Sequence, residues 1–180
     1  MDFINPINIF FLSFIIILLV LLSCVWPPDS PWSPWWRTNG KKSKGAIKLA
    51  EISSKDIVYE LGSGDATFLV TVAKRTGAKC VGIEIDPVRH LTAGLNVLLN
   101  GVRKKVTLKK KSFYDVDLKN ATVVYAYLIP RVLEKLKPQL FKELKKGTRV
   151  VSHVYKFLPD KRLKFVKSDN KTQMHLYKII

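Results

Sequence analysis

Cysteine is scarce in this 180-residue sequence, which holds two cysteines, Cys24 and Cys80, far apart along the chain. No Cys-x-x-Cys pair or other metal-ligand spacing occurs, so the sequence predicts neither a metal site nor a disulfide framework. Two isolated thiols are consistent with a reducing compartment.

Acidic residues are also few, with 14 Asp and Glu against 31 Lys and Arg, for a net charge of +17. Before Lys41 the charged residues are Asp2, Asp29 and Arg37, so the remainder carries 30 basic and 12 acidic residues, or +18. Such a domain should favour anionic surfaces such as lipid headgroups, nucleic acid or acidic proteins. A general lysine-rich composition is an equally open explanation. With 47% hydrophobic and 25% charged residues, the length predicts one globular domain.

Charge is absent altogether from Ile9 to Trp26, which reads "IFFLSFIIILLVLLSCVW". With the two preceding residues, this run is long enough as a helix to cross a hydrocarbon core of about 30 Å. Residues 1–26 are therefore predicted to form a transmembrane anchor. A secretory signal processed at Cys24 is the alternative, but a positive segment before the apolar run is missing. A buried core helix is disfavoured because the run is apolar on every side.

Residues 27–44 are predicted to connect this anchor to a domain spanning residues 45–180. Prolines in "PPDSPWSP" end the helix, and the tryptophans are typical of the headgroup level. These tryptophans are Trp26, Trp32, Trp35 and Trp36. Basic residues follow the apolar run (Arg37, Lys41, Lys42 and Lys44) and none precedes it. The positive-inside rule thus predicts a single-pass membrane protein with its domain on the cytoplasmic side.

Strand-like and helix-like patterns alternate through the domain. Strands are predicted at about residues 56–61, 78–86, 105–112, 121–128 and 148–155, and helices at about 39–52, 65–75, 87–100 and 130–147, the last broken at Pro138. Two further strands, at about 162–168 and 172–180, are joined too closely for a parallel crossover and must form a hairpin. This order predicts an α/β fold with a mostly parallel sheet.

The stretch "YELGSGDATFLV" marks a ligand-binding turn after the first strand. Gly62 and Gly64 permit a tight turn that a ligand can approach closely. A dinucleotide-binding fingerprint would need a third glycine, where Thr67 stands, and Asp65 would repel a pyrophosphate at the helix start. Glu60 adds a second acid before the turn.

S-adenosylmethionine fits such an acidic turn, because it has no phosphate and carries a cationic sulfonium and α-ammonium group. Glu84 ends the second strand, where a carboxylate can accept hydrogen bonds from both ribose hydroxyls. Each acid taken alone could equally be a solvated loop carboxylate.

With these motifs the chain resembles the class I S-adenosylmethionine-dependent methyltransferases. "VYELGSGDATF" matches their first motif and "VGIEIDP" their acidic second-strand motif, and the likeness extends from about residue 45 to 180. "ATVVYAYLIPRVLEKLKPQLFKELKKGTRVVSH" further resembles the ATP synthase c-subunit lysine N-methyltransferase family and its small single-span prokaryotic relatives. The resemblance implies a Rossmann-like seven-stranded sheet, parallel with a terminal antiparallel hairpin, here preceded by one transmembrane helix.

The resemblance also implies which residues bind the cofactor. The methionine part would lie among Glu60, Gly62, Ser63, Gly64 and Asp65, the ribose on Glu84, and the adenine beside Ile85, Ser112 and Phe113, with Tyr125 nearby. The chain departs from the family pattern twice. Ser112 stands where an acid usually accepts the adenine amino group, and Ala66 replaces the third glycine.

The acceptor side is predicted at the end of the fourth strand. Tyr127 is the candidate catalytic residue, lining an acceptor channel with Tyr125 and Pro130, although core packing would explain the same aromatics. His153 is a weaker candidate base, for which a structural role is the alternative. No Asn/Asp-Pro-Pro-Tyr motif occurs, which argues against methylation of exocyclic base or amide nitrogens. No cysteine motif for carbon methylation of RNA occurs either.

The sequence thus predicts a membrane-anchored S-adenosylmethionine-dependent methyltransferase that acts on protein lysine. Its expected partners are the membrane, through the N-terminal helix, and a protein substrate. Nucleic acid is not an expected partner, although the basic charge does not exclude it. The alternatives are a small-molecule or lipid methyltransferase and a non-catalytic basic binding module with a vestigial cofactor pocket.

Overall fold

The computed structural model describes the backbone of residues 5–25 and 38–180, and the side chains of 5–22 and 38–180. The chain divides into two compact units, one for each described segment.

Within residues 5–25 the first unit contains the helix α1, Pro6–Val25, whose first turn is capped by Asn5 Oδ1 accepting from the Ile7 N–H at 3.1 Å. Its described side chains are exposed. Among the side chains that the structure describes, no helix combines the length and the apolar character that crossing a membrane requires. The predicted transmembrane helix is therefore not confirmed, and the predicted tryptophan belt lies outside the described residues.

The second unit contains five helices and seven strands within residues 38–180. In chain order these are α2 (Gly40–Ala50), β1 (Ile57–Leu61), α3 (Thr67–Thr76), β2 (Lys79–Glu84), α4 (Pro87–Leu99), β3 (Val106–Lys110), a 3₁₀ turn (Phe113–Asp115), β4 (Val123–Ala126), α5 (Pro130–Glu143), β5 (Arg149–His153), β6 (Leu163–Asp169) and β7 (Met174–Ile179), where the 3₁₀ turn is the fifth helix.

The seven strands form one sheet in the order β3-β2-β1-β4-β5-β7-β6. Strands β1 to β5 are parallel, with Val58 of β1 opposite Cys80 of β2 and Val123 of β4. Strand β7 is antiparallel to both β5 and β6. This arrangement confirms the predicted Rossmann-like sheet with its terminal hairpin. The strand order reverses between β1 and β4, and ligands of open α/β sheets bind beyond the carboxyl ends at such a point.

Two hydrophobic clusters cover the two faces of the sheet. Side chains alternate between faces along each strand, so Val58 packs in the cluster that contains α2, α3 and α4, whereas Tyr59 packs in the cluster that contains α5. Because both faces are covered by helices, the carboxyl edge of the parallel strands is where loops can form a site.

Helix α5 differs from its prediction, because it runs through Pro138 without a break and ends at Glu143 instead of continuing to Gly147. A proline removes one helical hydrogen bond and crowds the preceding turn. Pro138 is on the exposed side, while Leu133, Leu136 and Leu140 are buried against the sheet. Their burial holds the helix together across the proline.

Candidate active site

The glycine turn lies at the carboxyl end of β1 and is tied to β2. Gly62 and Gly64 have φ of 77° and 51°, a left-handed conformation that favours glycine. The N–H groups of Gly62 and Ser63 both donate to the Ile83 carbonyl at 2.9 Å. The turn is thereby held open at the point where the strand order reverses.

Glu84 joins the glycine turn to the loop that leads into α4. Its Oε2 accepts from the Gly64 N–H at 2.8 Å, and its Oε1 accepts from the Asp86 N–H at 3.0 Å. Each of these bonds occupies one lone pair, and a carboxylate can accept about four hydrogen bonds in total. The buried carboxylate therefore fixes the turn and keeps acceptor capacity, and its contact with the ribose hydroxyls stays a prediction.

Glu60 is the buried acid with unused hydrogen-bonding capacity. It is 5% exposed, and its Oε2 has no hydrogen-bond partner. Burial raises the pKa of Glu60 well above its ordinary value, and the neighbouring carboxylates of Asp65 and Glu84 raise it further. The buried Ser63 Oγ is likewise without a partner. Polar atoms left in this state are suited to a ligand that donates hydrogen bonds or carries positive charge.

Asp65 starts the turn into α3, where its Oδ1 accepts from the Thr67 N–H at 3.1 Å. The Asn96 side chain, on α4, donates to the Asp65 carbonyl at 2.8 Å and so links the turn to a second helix. Ala66 caps α3 with φ 57°, a left-handed conformation that costs a residue with a Cβ about 1–2 kcal/mol. The sequence does not predict the contact of Asn96 with the turn, because no sequence pattern distinguishes this asparagine from any other amide side chain on a helix.

These residues fit S-adenosylmethionine. Glu60, with its unpartnered oxygen and its neighbours Asp65 and Glu84, would hold the cationic methionine end. A phosphate would be repelled by the same cluster. Within residues 5–25 and 38–180, no group of His, Cys, Asp or Glu side chains is arranged to hold a metal ion.

The predicted adenine contacts lie at the ends of β2 and β3. Ile85 and Phe113 are half-buried, and Gln139 from α5 donates to the Phe113 carbonyl at 3.0 Å. Ser112 Oγ accepts a long hydrogen bond, 3.3 Å, from the Tyr114 N–H. The Ser112 hydroxyl is thus partly engaged with its own turn, and its contact with adenine stays a prediction.

Tyr125 lies in the core instead of on an open wall of the site. It is 1% exposed, and its ring stacks on Phe68 with centroids 4.0 Å apart. Its hydroxyl is hydrogen-bonded to Thr38 Oγ1 at 3.1 Å and to His153 Nδ1 at 3.0 Å. Tyr125 thus links Thr38 and His153 within the core, and a direct contact with the cofactor stays a prediction.

Tyr127 and His153, which the sequence predicts on the acceptor side, have ring centroids 4.0 Å apart. His153 is fully buried, and its Nε2 has no hydrogen-bond partner. Burial, with smaller contributions from Lys42 and His175, lowers the pKa of His153 to about 4. The Lys42 ammonium lies 6.0 Å from the centroid of the Tyr127 ring. Pro130 is exposed where α5 begins.

Thr38 and Lys42 reach these side chains, although the sequence placed both in the connector. Helix α2 begins at Gly40 and packs in the same cluster as Val58 and Phe68. The segment before residue 45 therefore contributes to the acceptor side. Hydrogen bonds across 87 residues, such as that from Thr38 to Tyr125, leave no local signal.

The fold and this site define an S-adenosylmethionine-dependent methyltransferase. Residues 60–163 match the model of the ANTKMT methyltransferase domain, and the chain belongs to that family.

Two curated relatives are named as lysine methyltransferases. The chain is 43% identical over 126 residues to a protein-lysine N-methyltransferase of Saccharolobus islandicus, covering 69% of this chain and 78% of the relative. It is 34% identical over 96 residues to the mouse adenine nucleotide translocase lysine N-methyltransferase, covering 53% of this chain and 42% of that protein.

Among solved structures, the fold is similar to an RNA methyltransferase of Salinibacter ruber in complex with S-adenosyl-L-homocysteine. The TM-score is 0.70 and the identity 34%, over 80% of this chain and 92% of that one. Its bound ligand is the product that S-adenosylmethionine leaves after methyl transfer. The cofactor of the present chain is accordingly S-adenosylmethionine.

Proposed function

We propose that this methyltransferase modifies the ε-amino group of lysine in a protein substrate. The observation that carries the proposal is the 43% identity to the Saccharolobus protein-lysine N-methyltransferase, which extends over 78% of that protein. The mouse relative, named for lysine methylation of the adenine nucleotide translocase, supports the same acceptor group.

The acceptor side is compatible with a lysine. An aromatic face attracts an ammonium group within about 6 Å of its centroid, and Lys42 already lies at 6.0 Å from Tyr127. Because the pKa of His153 is about 4, its ring is neutral at pH 7 and does not repel an incoming cation. The same low pKa makes His153 a poor proton acceptor from lysine, so its predicted role as a base is not supported.

Bound S-adenosylmethionine supplies a methyl group on a sulfonium, which is a good leaving group. The protein then has to align the acceptor nitrogen and exclude water. Glu60 and Glu84 would hold the cofactor's cationic and ribose ends, and Tyr127 would orient the lysine. Burial beside Tyr127 favours the neutral amine, whose proton leaves to solvent before transfer.

The test is methyl transfer from radiolabelled S-adenosylmethionine into cell extract, separated into protein, lipid and RNA fractions. We expect the label in protein, recovered as methyl-lysine after acid hydrolysis. Label in the lipid fraction, or in another amino acid, would contradict the proposal. Tyr127→Ala should lower lysine methylation about 5- to 30-fold, from the loss of about 1–2 kcal/mol. Phe165→Ala, at an exposed ring on β6, is the control and should leave activity unchanged.

RNA methylation is a second candidate, favoured by the 34% identity to the Salinibacter RNA methyltransferase and by the net charge of +17. Label recovered in the RNA fraction of the same experiment would support it. The two candidates are separated by one measurement.

The proposal includes a membrane anchor with the catalytic domain on the cytoplasmic side. Its support is the uncharged run from Ile9 to Trp26 and the basic residues that follow it. The full chain should stay in the membrane fraction after extraction with alkaline carbonate, which removes peripheral proteins. Release into the supernatant would refute an anchor without affecting the proposed acceptor.

A further inference from the structure

Helix α4 exposes four leucines on one side. Their exposed fractions are 66% for Leu91, 53% for Leu95, 57% for Leu98 and 84% for Leu99. Their spacing of four, three and one residues places them within about 100° of the helix circumference. Ala93 and Val97 lie on the opposite side and are buried against the sheet. We call the four exposed side chains the leucine face.

Folding of the domain does not require leucine at these four exposed positions. Single exposed apolar residues are ordinary, but a contiguous exposed patch marks an interaction surface. The core beneath α4 is already supplied by Ala93 and Val97. Polar side chains at the four outer positions would serve the fold equally well.

The surroundings of the leucine face are basic. From Pro87 to Ser112 the sequence has no Asp or Glu. Five exposed cations lie in the same region, namely Arg103, Lys104 and Lys105 in the turn after α4 and Lys110 and Lys111 at the end of β3. Strand β3 is an edge strand of the sheet, and α4 packs on it. Apolar and cationic side chains are thus combined on one edge of the domain.

The combination of leucines and cations favours one kind of partner for the leucine face over the others. A second copy of the chain on a two-fold axis would bring the two sets of five cations together, which is repulsive. The phosphates of a nucleic acid would pair with the cations but would leave the four leucines without an apolar contact, since single strands stack on aromatic rings. An anionic bilayer satisfies both, because leucines enter the boundary between headgroups and acyl chains while lysines pair with the headgroups.

We propose that the leucine face of α4 docks on an anionic lipid bilayer. Helix α4 begins at Pro87, just beyond Glu84 in the cofactor site. Docking along this helix therefore brings the active-site edge of the sheet beside the bilayer. The proposal depends neither on the identity of the methyl acceptor nor on the N-terminal anchor.

The experiment places an environment-sensitive fluorophore on the leucine face of the full chain. Leu95→Cys is labelled in a Cys24→Ser background; Cys80 is buried, and its pKa is raised to about 12, so it does not react. Leu158→Cys is the matched control, because Leu158 is 64% exposed and hydrogen-bonds to α5 residues on the other face of the sheet. Vesicles contain phosphatidylcholine with or without phosphatidylglycerol, and a nitroxide quencher on the acyl chains.

We expect the label at position 95, and not the label at 158, to be quenched on phosphatidylglycerol vesicles. A double charge reversal, Lys104→Glu with Lys105→Glu, should lower the ratio of lipid-facing to water-facing label at least about 30-fold. The equal reversal of Lys145 and Lys146, exposed in the turn before β5, should have little effect.

Three results would overturn the proposal. One is the absence of quenching at position 95, or equal quenching at both positions, on the anionic vesicles. Another is a spectral shift at position 95 without lipid that grows with protein concentration, which would indicate a second copy. The third is the same shift on addition of an RNA duplex alone, which would indicate nucleic acid.

Discussion

Replacing Glu60 by glutamine should stabilise the cofactor-free protein and weaken cofactor binding. The Glu60 carboxyl is buried, its Oε2 lacks a partner, and the Asp65 and Glu84 carboxylates raise its pKa. Above the ordinary glutamate range the folded chain therefore bears a cost, either of a buried charge that the site does not compensate or of a proton that the unfolded chain does not bind. Glutamine keeps the shape of the side chain and removes that charge.

The size of both effects follows from buried polar groups in general. A buried group left unsatisfied costs about 1–3 kcal/mol, and more when it is charged. Glu60→Gln removes the ionisable group but leaves a polar side chain in place, so it should raise the free energy of unfolding by at most about that amount. A hydrogen bond to a charged group contributes about 1.5–3 kcal/mol. Affinity for S-adenosylmethionine should consequently fall about 10- to 150-fold.

Chemical denaturation without cofactor and calorimetric titration with S-adenosylmethionine measure the two effects separately. Glu51→Gln is the matched control, since Glu51 is exposed and its one ion pair, to Lys167, lies at the surface. Such a surface substitution should change stability by less than about 0.5 kcal/mol and leave binding unchanged.

The pH dependence of stability distinguishes this effect from a nonspecific one, because the raised pKa of Glu60 fixes the direction in which stability changes. Because the folded-state pKa of Glu60 is raised, the parent loses stability as pH rises from the ordinary glutamate range through that pKa. The stability gained from Glu60→Gln should therefore grow over the same window. A variant that is less stable than the parent at pH 7 and binds the cofactor equally well would refute the reasoning.

Three further substitutions test the site. Gly64→Val puts a β-branched residue at φ 51°, so it should abolish cofactor binding by calorimetry, whereas Gly94→Val, with open space around its Cβ position, should not. Glu84→Ala should weaken binding about 30- to 150-fold, from about 2–3 kcal/mol of lost hydrogen bonds, and an effect below twofold would move the ribose elsewhere. His153→Gln removes a group whose pKa is lowered to about 4, so as pH falls from 6.5 to 4 the parent should lose up to about 3 kcal/mol more stability than the variant. Parallel pH profiles of thermal unfolding for parent and variant would contradict that assignment.

The sheet and the cofactor side could be predicted because their signals are local. The strand predicted at 56–61 is observed as Ile57–Leu61, and the helix predicted from Pro87 begins there, capped by Asp86 Oδ1 accepting from the Arg89 N–H at 2.8 Å. A glycine turn after a buried strand, and a proline after a capping aspartate, each depend on a few adjacent residues. Both patterns can therefore be interpreted without knowledge of the rest of the fold.

The acceptor side could not be predicted in the same way, because it is assembled from distant segments. Thr38, Tyr125 and His153 meet through hydrogen bonds that span 87 and 28 residues. The pattern of β4 identified aromatic residues but not which of them is buried. Alternation along the strand places Tyr125 and Ala126 on opposite faces of the sheet. How deeply each face is buried depends on the helices that pack on it, which the strand sequence does not show.

Ala66 shows why a departure from the family pattern does not by itself remove the site. Its left-handed conformation costs about 1–2 kcal/mol relative to glycine, yet its fully buried methyl group packs in the core cluster, which contributes about 0.8 kcal/mol. Alanine also restricts the unfolded chain more than glycine does, a gain of about 0.4–1 kcal/mol. The opposing effects nearly cancel, so the turn keeps its shape without the third glycine. Gly62 and Gly64 also have positive φ, and they lie where the sequence predicts that the cofactor approaches the backbone, so a side chain at either position would bring its conformational cost into the predicted site.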